Sequence, residues 1–309
     1  MLCRFILAQN RMRMFSFNPT DITKPELHQY LLGCIAPRPI AFASTISANG
    51  EVNLAPFSFF NCFGSNPPTV VFSPARSGRS GTTKHTLDNV REVPECVINM
   101  VSYDMVGQMN VASSEYAKGV NEFRKADFTE VKSDMVKPPR VKESPAQLEC
   151  VVKQIIETGD KGGAGNLIIA EIVRMHINEA VLDEHRKIDP RKIDLVARLG
   201  GSWYCRANGD SLFQLAQPVG KICIGFDALP LHIRQSAVFT GNELSRFADF
   251  EKLPSVDEVA AQRQSEAVQN ILSGGLTADE KRNAMHLLAR QYLQTGETER
   301  AFATVCIEL

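Results

Sequence analysis

The chain has 309 residues, of which 44% are hydrophobic and 22% are charged, and its net charge is -1. This composition is typical of a globular protein and excludes a fibrous or intrinsically disordered chain. The net charge is too small to attract nucleic acid or an anionic membrane, so any anion binding must depend on a local cluster of donors. The best candidate for a membrane span, residues 31–43, is interrupted by Arg38 and two prolines, which excludes it.

The first fourteen residues, MLCRFILAQNRMRM, contain three arginines and no acidic residue. Basic character without acids is a feature of mitochondrial presequences, but this segment is not serine-rich and its apolar core is too short for a signal peptide. We therefore interpret residues 1–14 as a disordered extension from an upstream start, and we expect the folded chain to begin at residue 15.

The eight cysteines show no metal-binding or disulfide pattern. They lie at positions 3, 34, 62, 96, 150, 205, 223 and 306, without a C-x-x-C or C-x-x-H pair. In a chain of this size, such spacing predicts reduced, buried thiols rather than disulfides or zinc ligands. We therefore expect a cytoplasmic protein without a metal site.

Residues 30–225 have the pattern of short strands separated by turns. Runs rich in Val, Ile and Phe predict strands at 41–47, 69–73, 95–102, 148–159 and 166–178. Asn49-Gly50 predicts a tight hairpin, and a glycine-rich turn at 159–165 joins the two longest runs. Strands joined by tight turns pair in antiparallel fashion. Because closing such a sheet removes its edges, we expect an antiparallel β-barrel.

Polar residues occupy unusual positions between the first strands. Ser58 stands among Phe57, Phe59 and Phe60, and the two-residue period of a strand places Ser58 and Phe60 on one face. The Ser58 hydroxyl either bonds a neighbouring backbone carbonyl, as serine often does, or lines an aromatic pocket.

The segment 73–86, SPARSGRSGTTKHT, contains two arginines, one lysine and six hydroxyl side chains but no carboxylate. It is either a solvated surface loop or an anion site, since these side chains donate to phosphate esters. A P-loop is excluded because its pattern requires glycine at position 83, which is Thr83 here. A helix predicted at 82–91 would direct its free N–H groups toward the same ligand. Beside an aromatic pocket, such a phosphate site suits flavin mononucleotide, FMN.

The remaining helical patterns lie at 103–125 and beyond residue 226. Two C-terminal helices are predicted at 254–274 and 277–296. The second begins with the capping box Thr277 and Glu280. We expect two domains: a binding domain at 15–225 and a helical C-terminal extension at 226–309, which packs on the barrel or on a second subunit.

Several motifs occur in one order along the chain: PRPIAFAST, NLAPFSFF, PPTVVFS, KHTLDNV, CVINM, GVNEF and VARLGGSWY. Together they resemble the flavin reductase-like family of FMN-binding split β-barrels over residues 37–225, with a family-like tail at 229–244. The resemblance implies a mainly β fold, an antiparallel split β-barrel with short helical insertions, to which the C-terminal helices are added.

The resemblance also implies which residues bind the cofactor, and it assigns no catalytic side chain. Ser44 and Thr45 face the flavin. The residues that frame the flavin ring are Asn53, Ala55, Pro56, Ser58 and Phe59. Arg79, Lys84 and Thr86 hold the phosphate, in the segment that begins at Ser73. Arg198 approaches the flavin or an incoming nicotinamide. The family often has Lys-Asp-Thr where this chain has Lys84-His85-Thr86, so a carboxylate that would orient the lysine is absent. The implied set is Ser44, Thr45, Asn53, Ala55, Pro56, Ser58, Phe59, Ser73, Arg79, Lys84, Thr86 and Arg198.

The function implied is that of an FMN-dependent oxidoreductase, an NAD(P)H-dependent flavin reductase that takes hydride from NADH or NADPH. The cofactor supplies this chemistry, so no catalytic triad is needed. Two alternatives remain open: an electron-transfer component for a partner oxygenase, and a non-catalytic FMN-binding or interaction protein. A small barrel leaves the flavin exposed, so we expect a homodimer with FMN near its interface.

Overall fold

The structure, a computed structural model, describes residues 13–309. The predicted disordered extension therefore falls almost entirely outside the described residues. The chain forms two compact units, the first ending at Phe213 and the second covering Gln214–Leu309. The domain boundary predicted at residues 225 and 226 stays a prediction.

The first unit is built on antiparallel strands. Seven of them form one sheet in the order β2-β1-β5-β8-β9-β4-β3, while β6 pairs with β7 and β10 pairs with β11. The strands are β1 (Ala41–Ile46), β2 (Val52–Phe57), β3 (Phe60–Ser65), β4 (Pro68–Phe72), β5 (Glu95–Asn99), β6 (Glu130–Val131), β7 (Arg140–Val141), β8 (Ala146–Glu157), β9 (Asn166–Ile177), β10 (Val196–Arg198) and β11 (Tyr204–Arg206).

Short helices connect these strands. Two of them, α3 and α4, lie within the helical insertion predicted at 103–125, and α2 begins three residues after the predicted start at 82. The helices are α1 (Lys24–Cys34), α2 (His85–Glu92), α3 (Val106–Ala112), α4 (Glu122–Lys125) and α5 (Pro190–Ile193).

The predicted hairpins are confirmed. β1 and β2 pair in antiparallel register around the Asn49-Gly50 turn, where Gly50 has a φ of 85°. That positive φ is the conformation for which the turn needs glycine. β8 and β9 form the second hairpin, and both are twelve residues long.

The barrel predicted from the hairpin pattern is not closed. Within residues 13–309, no pairing joins β2 to β3, the two edges of the large sheet. Only Ser58 and Phe59 separate these strands, and neither has the positive φ that the favoured two-residue hairpin turns require. The chain therefore bends from one edge of the sheet to the other, and the curled sheet stays open there.

The large sheet buries apolar side chains on both faces, since alternate residues of a strand point to opposite sides. On one face, Ala43 and Phe72 form a cluster with Leu87 of α2. On the other face, Phe42 and Leu54 pack with residues of α3 and α4. The sheet therefore holds α2 on one side and the α3–α4 segment on the other.

The second unit is helical, as predicted for the C-terminal extension. The capping box is confirmed: Glu280 accepts a hydrogen bond from the Thr277 N–H at 2.8 Å, and Thr277 Oγ1 accepts one from the Glu280 N–H. The helix predicted at 254–274 divides in two: α8 ends at Arg263, and Ser265 takes the N-cap position of α9 without a side-chain capping hydrogen bond. The helices are α6 (Leu231–Arg234), α7 (Gly241–Ala248), α8 (Val256–Arg263), α9 (Glu266–Ser273), α10 (Ala278–Gln294) and α11 (Thr298–Val305).

Stacked aromatic rings form the centre of this unit. Phe247 and Phe302 are fully buried, with ring centroids 5.1 Å apart. Among the helices of residues 13–309, none combines the length and apolar character needed to cross a membrane.

The cysteines differ from one another in burial. Cys96 and Cys150 are buried and lie opposite each other on β5 and β8, as expected for core thiols. Cys34 and Cys62 are exposed, contrary to the expectation of buried thiols. Both lie on elements at the margin of the first unit, α1 and the edge strand β3, where nothing packs over them.

Candidate functional site

A cavity of about 270 Å³ opens between β2, the start of α2 and the segment after α3. Its apolar wall includes Ala55, Pro56 and Phe57. Hydroxyl side chains supply much of the remaining lining, and we call this space the hydroxyl cavity. These hydroxyls include Ser77, Ser80, Thr82, Thr83, Thr86 and Ser113.

The N-terminus of α2 faces this cavity without a side-chain cap. Lys84 occupies the N-cap position, and its side chain makes no capping hydrogen bond. The first N–H groups of a helix have no intrahelical partner, and they carry the positive end of the helix dipole. Thr86 Oγ1 accepts a hydrogen bond from Asn53 Nδ2 at 3.0 Å, which leaves the Thr86 hydroxyl proton available to a ligand. This side of the cavity therefore presents donors suited to an anion.

Two side-chain hydrogen bonds hold α2 in this position. The first is the Asn53–Thr86 bond. In the second, Asn89 Nδ2 donates to Thr45 Oγ1 on β1 at 3.1 Å. All four side chains are buried, and buried polar groups are costly to leave unpaired. The two bonds therefore fix the start of the helix against β1 and β2.

Lys84 also lines this cavity. Its Nζ lies 3.5 Å from Glu115 Oε1, and both side chains are substantially exposed, at 41% and 71%. An exposed ion pair of this kind contributes little free energy. An incoming anion could therefore displace Glu115 from Lys84, although the carboxylate would oppose its binding.

A second cavity, of about 230 Å³, adjoins the first, since Pro56 and Ser113 line both. Ser58 and Arg198 also line it, and we call it the arginine cavity. Behind it lies the buried guanidinium of Arg38, whose Nε donates to Ser58 Oγ at 3.5 Å. Burial, together with the nearby charge of Arg198, lowers the pKa of Arg38. Arginine nevertheless stays charged, so two positive charges lie beside this cavity.

The structure thus brings together seven of the twelve predicted residues. Asn53, Ala55, Pro56, Lys84 and Thr86 line the hydroxyl cavity. Pro56 also lines the arginine cavity, with Ser58 and Arg198. Whether these residues bind a cofactor stays a prediction.

The other five residues do not line either cavity. The Ser44 hydroxyl is buried and donates to the Pro139 carbonyl, and Ser73 Oγ accepts a hydrogen bond from the Asn166 N–H at 2.9 Å. Thr45 is turned toward Asn89, as described above. Phe59 and Arg79 are exposed outside the cavity walls. The hydroxyls of Ser44 and Ser73 thus bond backbone groups. The sequence analysis raised that alternative only for Ser58.

Sequence reasoning missed Glu122 and Arg38 as members of the site. Glu122 lines the hydroxyl cavity, is 5% exposed, and accepts a hydrogen bond from the Leu54 N–H at 2.8 Å. Burial raises the pKa of this carboxyl, and the hydrogen bond from Leu54 opposes the effect only in part. A usable signal was present, because the GVNEF motif places an acid immediately before Phe123, a core residue.

Asp134, Glu149 and His176 form a cluster outside the cavities, with potential ligand atoms within 4.8 Å of one another. Glu149 is fully buried, and its oxygens accept hydrogen bonds from the N–H groups of Asp134 and Met135 at 2.8 and 2.6 Å. His176 Nε2 lies 2.7 Å from the same carboxylate. Burial raises the pKa of Glu149, but these hydrogen bonds outweigh it and the net shift is downward. The carboxylate thus ties residues 134–135 to the sheet.

The comparisons with known proteins identify the class. Residues 32–192 match the model of the flavin reductase like domain, which covers more than half of the chain. The chain belongs to the flavin reductase-like family. The second unit lies outside this match.

Individual relatives agree with this assignment. A protein of Aquifex aeolicus without an assigned function is 36% identical over 184 residues, which are 60% of this chain and 91% of the relative. Nitrilotriacetate monooxygenase component B from Bacillus cereus is 30% identical with a TM-score of 0.61, and the match covers 66% of this chain and 99% of that one. The 2-nitrobenzoate 2-nitroreductase from Pseudomonas fluorescens is 26% identical with a TM-score of 0.60, and the match covers 68% and 100% of the two chains.

The buried Glu122 predicts a specific pH dependence of stability. Its raised pKa means that folding favours the protonated form. The stabilising contribution is therefore present below the usual glutamate pKa of about 4.3 and is lost as the pH rises through the folded-state value. Glu122→Gln keeps an acceptor for Leu54 and removes the titration. We expect its free energy of unfolding to rise relative to wild type as pH increases, by at most ~1.4 kcal/mol per pH unit.

Urea denaturation of both proteins between pH 4 and 8 measures this difference. Glu184→Gln, which alters an exposed carboxylate, serves as the matched control and should remain parallel to wild type. A difference between Glu122→Gln and wild type that does not vary with pH would contradict the assignment.

Proposed function

We propose that this protein binds FMN in the two adjoining cavities and acts as an NAD(P)H-dependent flavin reductase. The observation that carries the proposal is the uncapped start of α2, held open toward a hydroxyl-lined cavity. Phosphate groups bind at helix N-termini where free N–H groups and the helix dipole converge. FMN ends in such a phosphate and has a flat ring system at its other end.

The residues present fit this cofactor. Thr86, Lys84 and the hydroxyls of Ser77 and Ser80 would hold the phosphate. Pro56, Ser58 and Arg198 would lie beside the ring, in the arginine cavity. The guanidinium groups of Arg38 and Arg198 would stabilise negative charge that develops on the bound ring when it is reduced.

A flavin held in these cavities would supply two-electron chemistry, with NADH or NADPH as the hydride donor. The task of the chain is to bind and orient the two rings. The rigid attachment of α2 to β1 and β2 serves this purpose, since the hydroxyl cavity is formed before a ligand arrives.

An electron-transfer role for a partner oxygenase is the second candidate function. It is supported by the similarity to nitrilotriacetate monooxygenase component B. The third candidate, a non-catalytic binding protein, is supported by the helical second unit, which lies beyond the match to the family domain.

Absorbance spectra distinguish these functions. We expect the protein to take up FMN, which gives it flavin bands, and NADH or NADPH added under nitrogen to bleach those bands. Sustained NAD(P)H oxidation with free flavin favours the reductase, whereas oxidation only with an oxygenase favours electron transfer. Flavin bands that neither donor bleaches favour the binding protein. A protein that takes up no FMN would overturn the whole proposal.

Lys84 and Glu115 should affect FMN affinity in opposite directions. Lys84→Ala removes a charge-assisted contact to the phosphate. Because Lys84 is partly exposed, we expect the loss to be near the lower end of such contacts, about tenfold in Kd or ~1.4 kcal/mol. Glu115→Gln should tighten binding, since it removes a competing carboxylate.

Flavin fluorescence quenching measures both effects. Riboflavin, which has no phosphate, should bind the two variants and the wild type equally. Lys153→Ala is the matched control, because Lys153 is also an exposed lysine in an ion pair, with Glu171. Equal FMN affinity in Lys84→Ala and Lys153→Ala would show that the phosphate lies elsewhere.

We also propose that the protein is a homodimer. α1 buries none of its residues and exposes Leu31, and Ile35 directly after it is also exposed. The edge strand β3 exposes Phe63 at 69%. An eleven-residue helix is marginally stable alone, so a second copy that covers this surface would stabilise it. We expect light scattering to give twice the 34.2 kDa mass of one chain.

The variant Phe63→Lys should shift the dimer toward monomer. Leu287→Lys, at an exposed apolar position in α10, is the control and should leave the mass unchanged. A wild-type mass of one chain would refute the dimer.

A further inference from the structure

The hydroxyl cavity contains two acidic residues in opposite surroundings. Glu115 is exposed at 71% and pairs with Lys84. Glu122, the first residue of α4, lines the same cavity but is only 5% exposed. A carboxylate buried beside the place proposed for a phosphate requires an explanation, because two negative charges at close range oppose each other.

The Glu122 carboxyl has few partners in the protein. From other residues of 13–309 it accepts one hydrogen bond, which the Leu54 N–H donates to Oε2 at 2.8 Å. No basic side chain in this part of the chain pairs with it, and Lys84, the lysine of the cavity, lies against Glu115 instead. An ionised carboxylate buried with so few partners is costly. Its second oxygen, Oε1, is left to the cavity.

The elements around Glu122 supply no compensating charge. α4 packs against β2 and α3, and neither of these elements contains a titratable side chain. Arg124 and Lys125, which follow on α4 itself, are exposed. These surroundings favour the protonated acid, in agreement with the raised pKa of Glu122, which burial causes. The other titratable side chains at the cavity are Lys84, His85, Glu115 and Tyr116.

A protonated Glu122 has chemistry that an ionised one lacks. The carboxylate only accepts hydrogen bonds, whereas the neutral acid also donates one through its O–H. A phosphate monoester carries a charge of about −1.5 to −2 at pH 7, and its oxygens are strong acceptors. The Glu122 O–H and the free N–H groups at the start of α2 would therefore act on one phosphate together, while an ionised Glu122 would repel it.

We propose that FMN binds with a proton held between the Glu122 carboxyl and the phosphate of the cofactor. This inference rests on the proposed function, because it concerns the phosphate of the same cofactor. The proton comes from solution whenever Glu122 is ionised in the free protein, so FMN binding then consumes one proton. Riboflavin, which has no phosphate, binds without this uptake. Glu122 thereby makes the preference for FMN over riboflavin greatest at low pH.

The direction of the pH effect follows from this linkage. Below the pKa of Glu122 in the free protein, the acid is already neutral and FMN binds with full affinity. Above that pKa only the protonated fraction of the protein binds well, so the Kd for FMN rises with pH, by at most about tenfold per pH unit. The rise ends where Glu122 ionises even in the complex.

Glu122→Gln separates this effect from other titrations. The amide keeps an acceptor for Leu54 and carries an N–H donor in place of the O–H at every pH. We expect the ratio of the FMN Kd of wild type to that of Glu122→Gln to rise at least about threefold between pH 6 and pH 8. Any contribution of His85 or of the phosphate itself is common to both proteins and cancels in the ratio. Glu115→Gln is the matched control. It also removes a carboxylate from the cavity, but an exposed glutamate is ionised throughout this range, so its ratio should not vary with pH.

Calorimetric titration in buffers of different ionisation enthalpy measures the proton directly. At pH 8, wild type should take up close to about one proton per FMN bound, and Glu122→Gln should take up almost none. His85→Gln should retain the uptake of wild type. Riboflavin should bind all three proteins without proton uptake. The comparison of FMN with riboflavin on wild type alone needs no variant, so it tests the inference even where a substitution disturbs folding.

The outcomes separate this inference from the proposed function. If FMN binds wild type without proton uptake, or if riboflavin causes the same uptake, the inference is wrong and the FMN site stands. An uptake that disappears in His85→Gln but persists in Glu122→Gln would assign the proton to the histidine and also overturn the inference. A protein that binds no FMN at any pH would overturn both.

Discussion

The surroundings of the arginine cavity depend on the hydrogen bonds of the buried Arg38 guanidinium. Its acceptors are the carbonyls of Leu32, Ile35 and Leu199 and the hydroxyl of Ser58, rather than a carboxylate. A buried charge is very costly unless its donors are satisfied. The end of α1, the bend between β2 and β3, and the β10–β11 hairpin are therefore fixed around one side chain.

A second set of buried polar contacts fixes the hydroxyl cavity in the same manner. The amides of Asn53 and Asn89 bind the hydroxyls of Thr86 and Thr45 across the gap between helix and sheet. Networks of this kind specify one arrangement, because a partly satisfied network is worse than an apolar one. In a chain of nearly zero net charge, Lys84, Arg38 and Arg198 thereby lie at or beside two adjoining cavities.

The strands and hairpins could be predicted because they depend on local patterns. Asn49-Gly50 requires a turn whatever surrounds it, and the C-terminal capping box at Thr277 needs only its own four residues. The sequence also indicated the α2 region of the site, through its cluster of hydroxyls and basic residues. Arg38 could not be predicted in this way, because its neighbours in the sequence do not distinguish it from a surface arginine. Its burial depends on α1 and the β10–β11 hairpin, which enclose it in the folded chain. The open barrel was missed since the bend at residues 58–59 depends on backbone angles that the sequence does not specify.

The open sheet has a consequence for solubility. β3 is an edge strand with exposed residues, including Phe63, and unpaired backbone groups at such an edge invite other strands to add to the sheet and start aggregation. Two features limit this. The strand is only six residues long, and its pairing with β4 shifts register between Cys62 and Gly64. An irregular edge is a poor template for a second strand, so the protein can leave this edge unpaired at a lower risk of polymerising.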